Sequence, residues 1–178
     1  MHVVVRAFLA GILAFLLVSG CTSKEEDEKR EARHRAPPFA LKDLKGNTFR
    51  LQDLRGKVVL LNFFATWCGP CRQEVPELVK LYERFRDRGL EIVGISLDME
   101  GAAVLDPFVK QYRIPYPIVL GTRQTVADYG GIRGIPTSFL VDREGIIIQH
   151  FVGWRPARVI EAAVVEALDS KLAGVQHY

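Results

Sequence analysis

The sequence is poor in cysteine, histidine and repeats, and each shortage removes a class of protein. Its 178 residues include three cysteines, at positions 21, 68 and 71, so any structural bridge would consume Cys68 or Cys71. A disulfide-stapled scaffold is excluded, and oxidation and reduction of the Cys-x-x-Cys pair is the expected use of sulfur. The four histidines, His2, His34, His150 and His177, are scattered, with none at ligand spacing from the thiols. A zinc site would lack two ligands, so no metal and no cofactor are expected. Charge of neither sign dominates: the chain carries net +3, part of it from Arg6 near the N-terminus, and nothing in that balance suggests nucleic acid. No internal repeat or second domain is visible, and 39–178 are long enough for one domain around one core.

Long apolar runs are also scarce, apart from one at the start of the chain. Arg6 precedes an apolar core, Ala7 to Val18, which ends in the small residues Ser19 and Gly20. That core is short of the ~20 residues a spanning helix needs, so 1–20 read as a secretory signal peptide, with an uncleaved membrane anchor as the alternative. Either reading puts the domain outside the cytoplasm. Lys24 to Arg35 is dense in both signs of charge and nearly free of apolar residues, and Pro37-Pro38 closes it. Such a stretch cannot bury enough surface to fold, so 21–38 read as a tether whose mixed signs argue against a specific electrostatic partner.

The remainder alternates strand and helix patterns. Phe39 to Leu41 and Thr48 to Leu51 flank Lys45-Gly46-Asn47 as a short hairpin. Val58 to Phe64 is a near-continuous apolar run, the mark of a strand buried on both faces. Val75, Leu78, Val79, Tyr82 and Phe85 then recur at helical spacing up to Gly89. Glu91 to Leu97 reads as a strand, Ala102 to Tyr112 as a helix despite Pro107, Tyr116 to Leu120 as a short strand and Thr125 to Tyr129 as a brief helix. Thr137 to Val141 and Ile146 to Val152 form an antiparallel hairpin through Asp142 to Gly145, and Pro156 to Leu172 is the closing helix.

Trp67-Cys68-Gly69-Pro70-Cys71 falls between the buried strand and the first long helix, which places both thiols on the first helical turn. There the first sulfur can meet backbone N–H groups that have no partner within the helix. The thiolate is the attacking species, and a free cysteine titrates near ~8.5. Lowering that value to ~7 requires roughly 2 kcal/mol in favour of the anion. A helix terminus supplies only about 0.3 to 1 kcal/mol, so direct hydrogen bonds to sulfur must supply the rest. Cys68 is the expected nucleophile, and Cys71 the thiol that resolves the mixed disulfide.

The order strand, Trp-Cys-Gly-Pro-Cys, helix, strand, then Gly134-Ile135-Pro136-Thr137 before a hairpin and a closing helix resembles the thioredoxin fold. The N-terminal β-hairpin, the central helix-strand insertion from Gly101 to Leu120 and the exported context resemble more narrowly the TlpA/ResA-like membrane-tethered thiol-disulfide oxidoreductases. The resemblance implies an α/β domain in which Cys68 and Cys71 are the redox pair, with Trp67, Gly69 and Pro70 at the rim. It also implies a cis bond before Pro136, which presents the Ile135 backbone beside Cys68 so that an extended client can pair with it. Pro76 matches the family's kink within the first helix. Val18-Ser19-Gly20-Cys21 resembles a bacterial lipobox, which implies acylation of Cys21 and a lipid-anchored protein facing the periplasm or exterior.

Asn62 stands where thioredoxins carry a buried aspartate. Glu74, three residues after Cys71, matches a glutamate near the cysteines of the ResA-like branch and could relay a proton to or from Cys71. Its bland alternative is an exposed first-turn glutamate favoured by the helix dipole. Trp154 reads as a core or edge residue rather than a site residue. By resemblance, a membrane electron donor like DsbD or CcdA would keep the pair reduced, and disulfide-bearing proteins such as an apocytochrome c would be the clients. Two other functions remain open. A peroxiredoxin-like peroxidase shares the fold, yet Leu61 and Ala65 occupy the places of its diagnostic proline and threonine relative to Cys68. A non-catalytic binding module is disfavoured by the presence of both cysteines and Pro136.

Overall fold

In the computed structural model the chain divides into two units, residues 1–35 and 36–178, and residues 34–173 are described. The signal segment, Cys21 and nearly all of the tether lie outside the described residues. The second unit begins slightly before the hairpin. The Ala36 N–H donates to the Gly145 carbonyl at 2.9 Å, the Tyr129 hydroxyl donates to the Pro37 carbonyl at 2.9 Å, and Phe39 is buried. Residues 36–38, which the sequence reading gave to the tether, therefore pack on the domain.

Strands β1 (Ala40–Lys42) and β2 (Thr48–Arg50) form an antiparallel hairpin, with Leu41 opposite Phe49. Asp43 shapes its turn, accepting the Lys45 and Asn47 backbone N–H groups on one oxygen and the Asn47 side-chain amide on the other. The main sheet contains β3 (Val58–Phe64), β4 (Leu90–Ser96), β5 (Ile118–Leu120), β6 (Thr137–Val141) and β7 (Ile147–Val152) in the order β5-β4-β3-β6-β7. β3, β4 and β5 are parallel, whereas β6 and β7 are antiparallel to their neighbours. Among the described residues four α-helices complete the domain: α1 (Gly69–Phe85), α2 (Ala102–Tyr112), α3 (Arg123–Asp128) and α4 (Ala157–Ala173). This is the α/β arrangement, with N-terminal hairpin and helix-strand insertion, that the sequence implied. Among the described residues no helix is long and apolar enough to cross a membrane.

Every residue of β3 and β4 is buried, because the sheet is covered on both sides. Side chains alternate along a strand, so β3 feeds two cores. Val58, Leu60 and Phe64 join Val75 and Leu78 of α1, Leu105 and Phe108 of α2, and Ile160 and Val164 of α4. Val59, Leu61 and Phe63 join the hairpin's Leu41, together with Tyr129 and Phe139. By the same alternation Asn62, the one polar residue of β3, lies on the α1 side.

Several boundaries differ from the sequence reading for local reasons. β5 begins at Ile118, since Pro117 has no N–H for a ladder. α3 begins at Arg123 because the Thr122 hydroxyl caps it, accepting the Thr125 N–H at 3.1 Å. β7 starts at Ile147, and α4 at Ala157. α1 runs from Gly69 to Phe85 with Pro76 inside it.

Candidate active site

The site is built where β3 runs into α1. Cys68 is the N-cap of α1, with extended backbone angles, and its sulfur accepts the Cys71 N–H at 3.2 Å. Gly69 and Pro70 fill the first turn; proline there lacks the N–H that would otherwise go unpartnered. Cys68 and Cys71 are joined in a disulfide, their Cα atoms 5.2 Å apart. Cys68 retains 5% exposure and Cys71 1%, so the first sulfur is the more accessible.

A second chain segment closes over the pair. The Ile135–Pro136 peptide bond is cis, as the resemblance implied, and the Ile135 carbonyl oxygen lies 3.6 Å from Cys68 Sγ. The Thr137 hydroxyl donates to the Gly134 carbonyl at 2.7 Å and the Gly153 N–H to the Pro136 carbonyl at 2.8 Å, which tie this loop to β6 and to the end of β7. Trp67 is 70% exposed beside the redox pair, a rim position. Around Gly69 the space is open.

Glu74 is not the exposed first-turn residue of the bland reading: it is 3% exposed, on the inward face of α1 that also carries Cys71, Val75 and Leu78. Its carboxyl accepts the Asn62 side-chain amide at 2.8 Å and the Arg155 backbone N–H. Burial raises its pKa from the ordinary 4.5 to about 7, against the pull of those two donors, which favour the anion. Asn62 gives its other amide hydrogen to Ser138 Oγ at 2.9 Å. Tyr116 is buried nearby, and burial first, with the charge of Glu74 second, pushes its hydroxyl above the ordinary tyrosine value.

One feature escaped the sequence reading. Asp98, just after β4, accepts the Thr66 N–H on both carboxylate oxygens at 3.1 and 3.0 Å, the Thr66 hydroxyl at 2.7 Å and the Ser96 hydroxyl at 2.8 Å. It thereby fixes Thr66, two residues before Cys68. The parallel register brings them together: Phe64 pairs with Ser96, so the residues that follow the two strands meet. Trp154, read from the sequence as a core or edge residue, takes the edge position: it is 45% exposed, on a loop whose Gly153 bonds to Pro136 and whose Arg155 bonds to Glu74. Leu61 and Ala65, at the places diagnostic for peroxidases, are fully buried apolar residues. Among the described residues no three histidine, cysteine or acidic side chains group at metal-ligand distance.

Chemically, the arrangement offers a dithiol that can open and close, a hydrogen-bond donor to its first sulfur, a backbone carbonyl beside it and a buried acid titrating near neutrality. The chain is similar to several known proteins. Residues 32–150 match the AhpC/TSA family. Thiol-disulfide oxidoreductase ResA from Bacillus cereus is 37% identical over 160 residues, covering 90% of this chain and 91% of that protein. A thiol:disulfide interchange protein of the thioredoxin family from Chlorobium tepidum superposes with a TM-score of 0.69 at 35% identity, covering 75% of this chain and 95% of that one. A thiol:disulfide interchange protein from Bacteroides sp. superposes with a TM-score of 0.68 at 30% identity, covering 81% and 94%.

Proposed function

The chain belongs to the AhpC/TSA family and, within it, to the ResA-like thiol-disulfide oxidoreductases of the thioredoxin superfamily, and from that membership we propose that it is a lipid-anchored disulfide reductase of the bacterial cell envelope. The observation that carries the reading is the Cys68–Cys71 disulfide at the α1 N-terminus beside the Ile135 carbonyl, with the buried Glu74 one turn further along the same helix.

Starting from the reduced pair, the Cys68 thiolate attacks one sulfur of a client disulfide. A Cys68–client S–S bond forms, the client S–S bond breaks, and the departing client sulfur leaves as a thiolate that takes up a proton. Glu74, as carboxylate, takes the proton of the Cys71 thiol. The Cys71 thiolate then attacks Cys68 Sγ, the intramolecular disulfide forms and the second client sulfur departs with the electron pair, to be protonated in turn. The client gains two electrons and two protons; the pair gives up both electrons and, with Cys68 already a thiolate, one proton through Glu74, the other proton coming from solvent. With its acid near 7, Glu74 is about half ionised at neutral pH, which suits a group that must both accept and return a proton.

A reductant in an oxidising compartment needs electrons supplied from elsewhere. The donor in this reading is a membrane protein resembling DsbD or CcdA, and the client an apocytochrome c with a Cys-x-x-Cys-His disulfide that must open before haem attachment. Acylation of Cys21 would hold the enzyme at the membrane, within reach of both.

Trapping tests the reading. Cys71→Ser cannot resolve the mixed disulfide, so clients should remain covalently attached to Cys68 and be released by dithiothreitol. Recovery of c-type cytochrome precursors from envelope fractions supports the assignment, and their absence from a trapped set of other proteins removes it. Labelling of Cys21 by a palmitate analogue, lost in Cys21→Ala, tests the anchor.

A further inference from the structure

We propose that Asn62 is a positioning residue for proton transfer at the dithiol, holding the Glu74 carboxyl in place while linking it to the strand that follows the Ile135–Pro136 loop. The inference rests on the reading of Glu74 as the proton holder. Asn62 is 2% exposed, in a strand otherwise made of apolar residues, and a buried amide in such surroundings costs stability unless it is bonded. Its bonds are shared between two elements. One nitrogen donates to Glu74 Oε2 on α1 at 2.8 Å and to Ser138 Oγ on β6 at 2.9 Å, and Ser138 is its direct cross-strand partner.

This geometry fixes the orientation of the amide. A carboxylate has only acceptors, so turning the amide over would set oxygen against oxygen. The donor therefore faces Glu74 whenever the carboxyl is ionised, and favours that form. An amide also has no proton to lose at neutral pH, so Glu74 is the single titrating acid of the pair. An aspartate at 62 would place two carboxyls within hydrogen-bond reach of each other, and such pairs give up their protons in two coupled steps with one value strongly raised. The other groups set against Glu74 are the Arg155 backbone N–H from the loop after β7, Cys71 on its own helix and the buried Tyr116 before β5; Glu77 and Arg155 line the small cleft that opens between α1 and α4. No second carboxylate touches Glu74 among these groups.

Because Asn62 also holds Ser138, two residues beyond Pro136, the acid and the edge on which a client would pair are joined through one side chain.

The test is a carboxyl carbon-13 NMR titration of the oxidised protein, with Glu74→Gln to assign the resonance. In the unaltered protein Glu74 should titrate near neutrality. Asn62→Asp, which preserves shape, should move that inflection upward by about one pH unit or more, a tenfold or greater gain in proton affinity, and add a second coupled inflection. Asn62→Ser, a milder replacement that leaves Glu74 without its amide donor, should move it upward without the second step. The resolution rate of a Cys68-linked client, followed against pH, should shift in parallel. If both variants leave the Glu74 titration where it was, the positioning role is wrong even though Glu74→Gln alters the rate. If Glu74→Gln leaves the rate and its pH profile unchanged, the proton-holder reading falls and this proposal with it.

Discussion

Asp98 grips Thr66 by three hydrogen bonds, two from the Thr66 N–H and one from its hydroxyl, and so anchors the chain two residues before Cys68 to the end of β4. The carboxylate is 9% exposed and its acceptors are well used, since Ser96 donates as well. Such a charge is stable in the interior because its donors converge on it.

Removing that carboxylate should therefore damage both fold and site. Asp98→Ala leaves the Thr66 and Ser96 donors without their acceptor, and a cost of about 2 to 4 kcal/mol is expected in urea unfolding. The reduced variant should also form mixed disulfides more slowly than the parent when both are fully folded, because the Cys68 loop has lost its anchor. Equal rates at equal folded fraction would show that Asp98 serves stability alone.

Glu74 should make stability fall as pH rises. Its folded value is about 7 against an ordinary 4.5, so between these limits the folded protein binds more protons than the unfolded chain. By linkage the folded state is then favoured at the acid end of that window and loses the advantage as pH rises through 7, a change of roughly 3 kcal/mol. Glu74→Gln keeps acceptor capacity without the ionisation. The stability difference between variant and parent should therefore swing toward the variant from pH 4 to pH 8, as measured by urea midpoints in the oxidised state. A constant difference across that range would mean that Glu74 ionises freely.

Gly121 is fixed by a close backbone approach. Its N–H donates to the Ser96 carbonyl at 2.8 Å, and a Cβ there would stand 2.8 Å from that same oxygen and 3.0 Å from Leu97 Cδ2. Gly121→Ala must push β5 away from β4, at about 1 to 3 kcal/mol. Because Ser96 also holds Asp98, the variant should slow mixed-disulfide formation as well.

Peroxide should be a poor substrate. Leu61 and Ala65 are buried apolar side chains, with no hydroxyl beneath Cys68 at the position a peroxidase uses. With equal reductant supplied, insulin reduction is expected to exceed hydrogen peroxide consumption by orders of magnitude, and comparable turnover would move the protein to the peroxidase side of its family.

Much of this was legible in the chain. The apolar run of β3, the Cys-x-x-Cys after it and the helical spacing of Val75, Leu78 and Phe85 fixed the scaffold of the site, because burial on two faces and an amphipathic helix leave direct periodic signals. The same helical spacing put Glu74 between Cys71 and Leu78, and so on the buried face, although its charge made the exposed position equally plausible. Asp98 was invisible because its meaning depends on the pairing of β3 with β4, which no local pattern encodes. Trp154 left core and edge equally open in the sequence, because a large apolar residue usually marks burial, whereas it follows an edge strand whose outer face, including Ile148 and Val152, is open to solvent.

The central claim is a reversible two-electron exchange between Cys68 and Cys71, and redox titration tests it most directly. The protein, equilibrated across a series of dithiothreitol ratios and alkylated, should pass from bridged to dithiol form in a single two-electron transition, which Cys68→Ser and Cys71→Ser abolish. A pair that stays bridged or stays reduced across the whole series, or two alkylations that occur independently, would contradict the account.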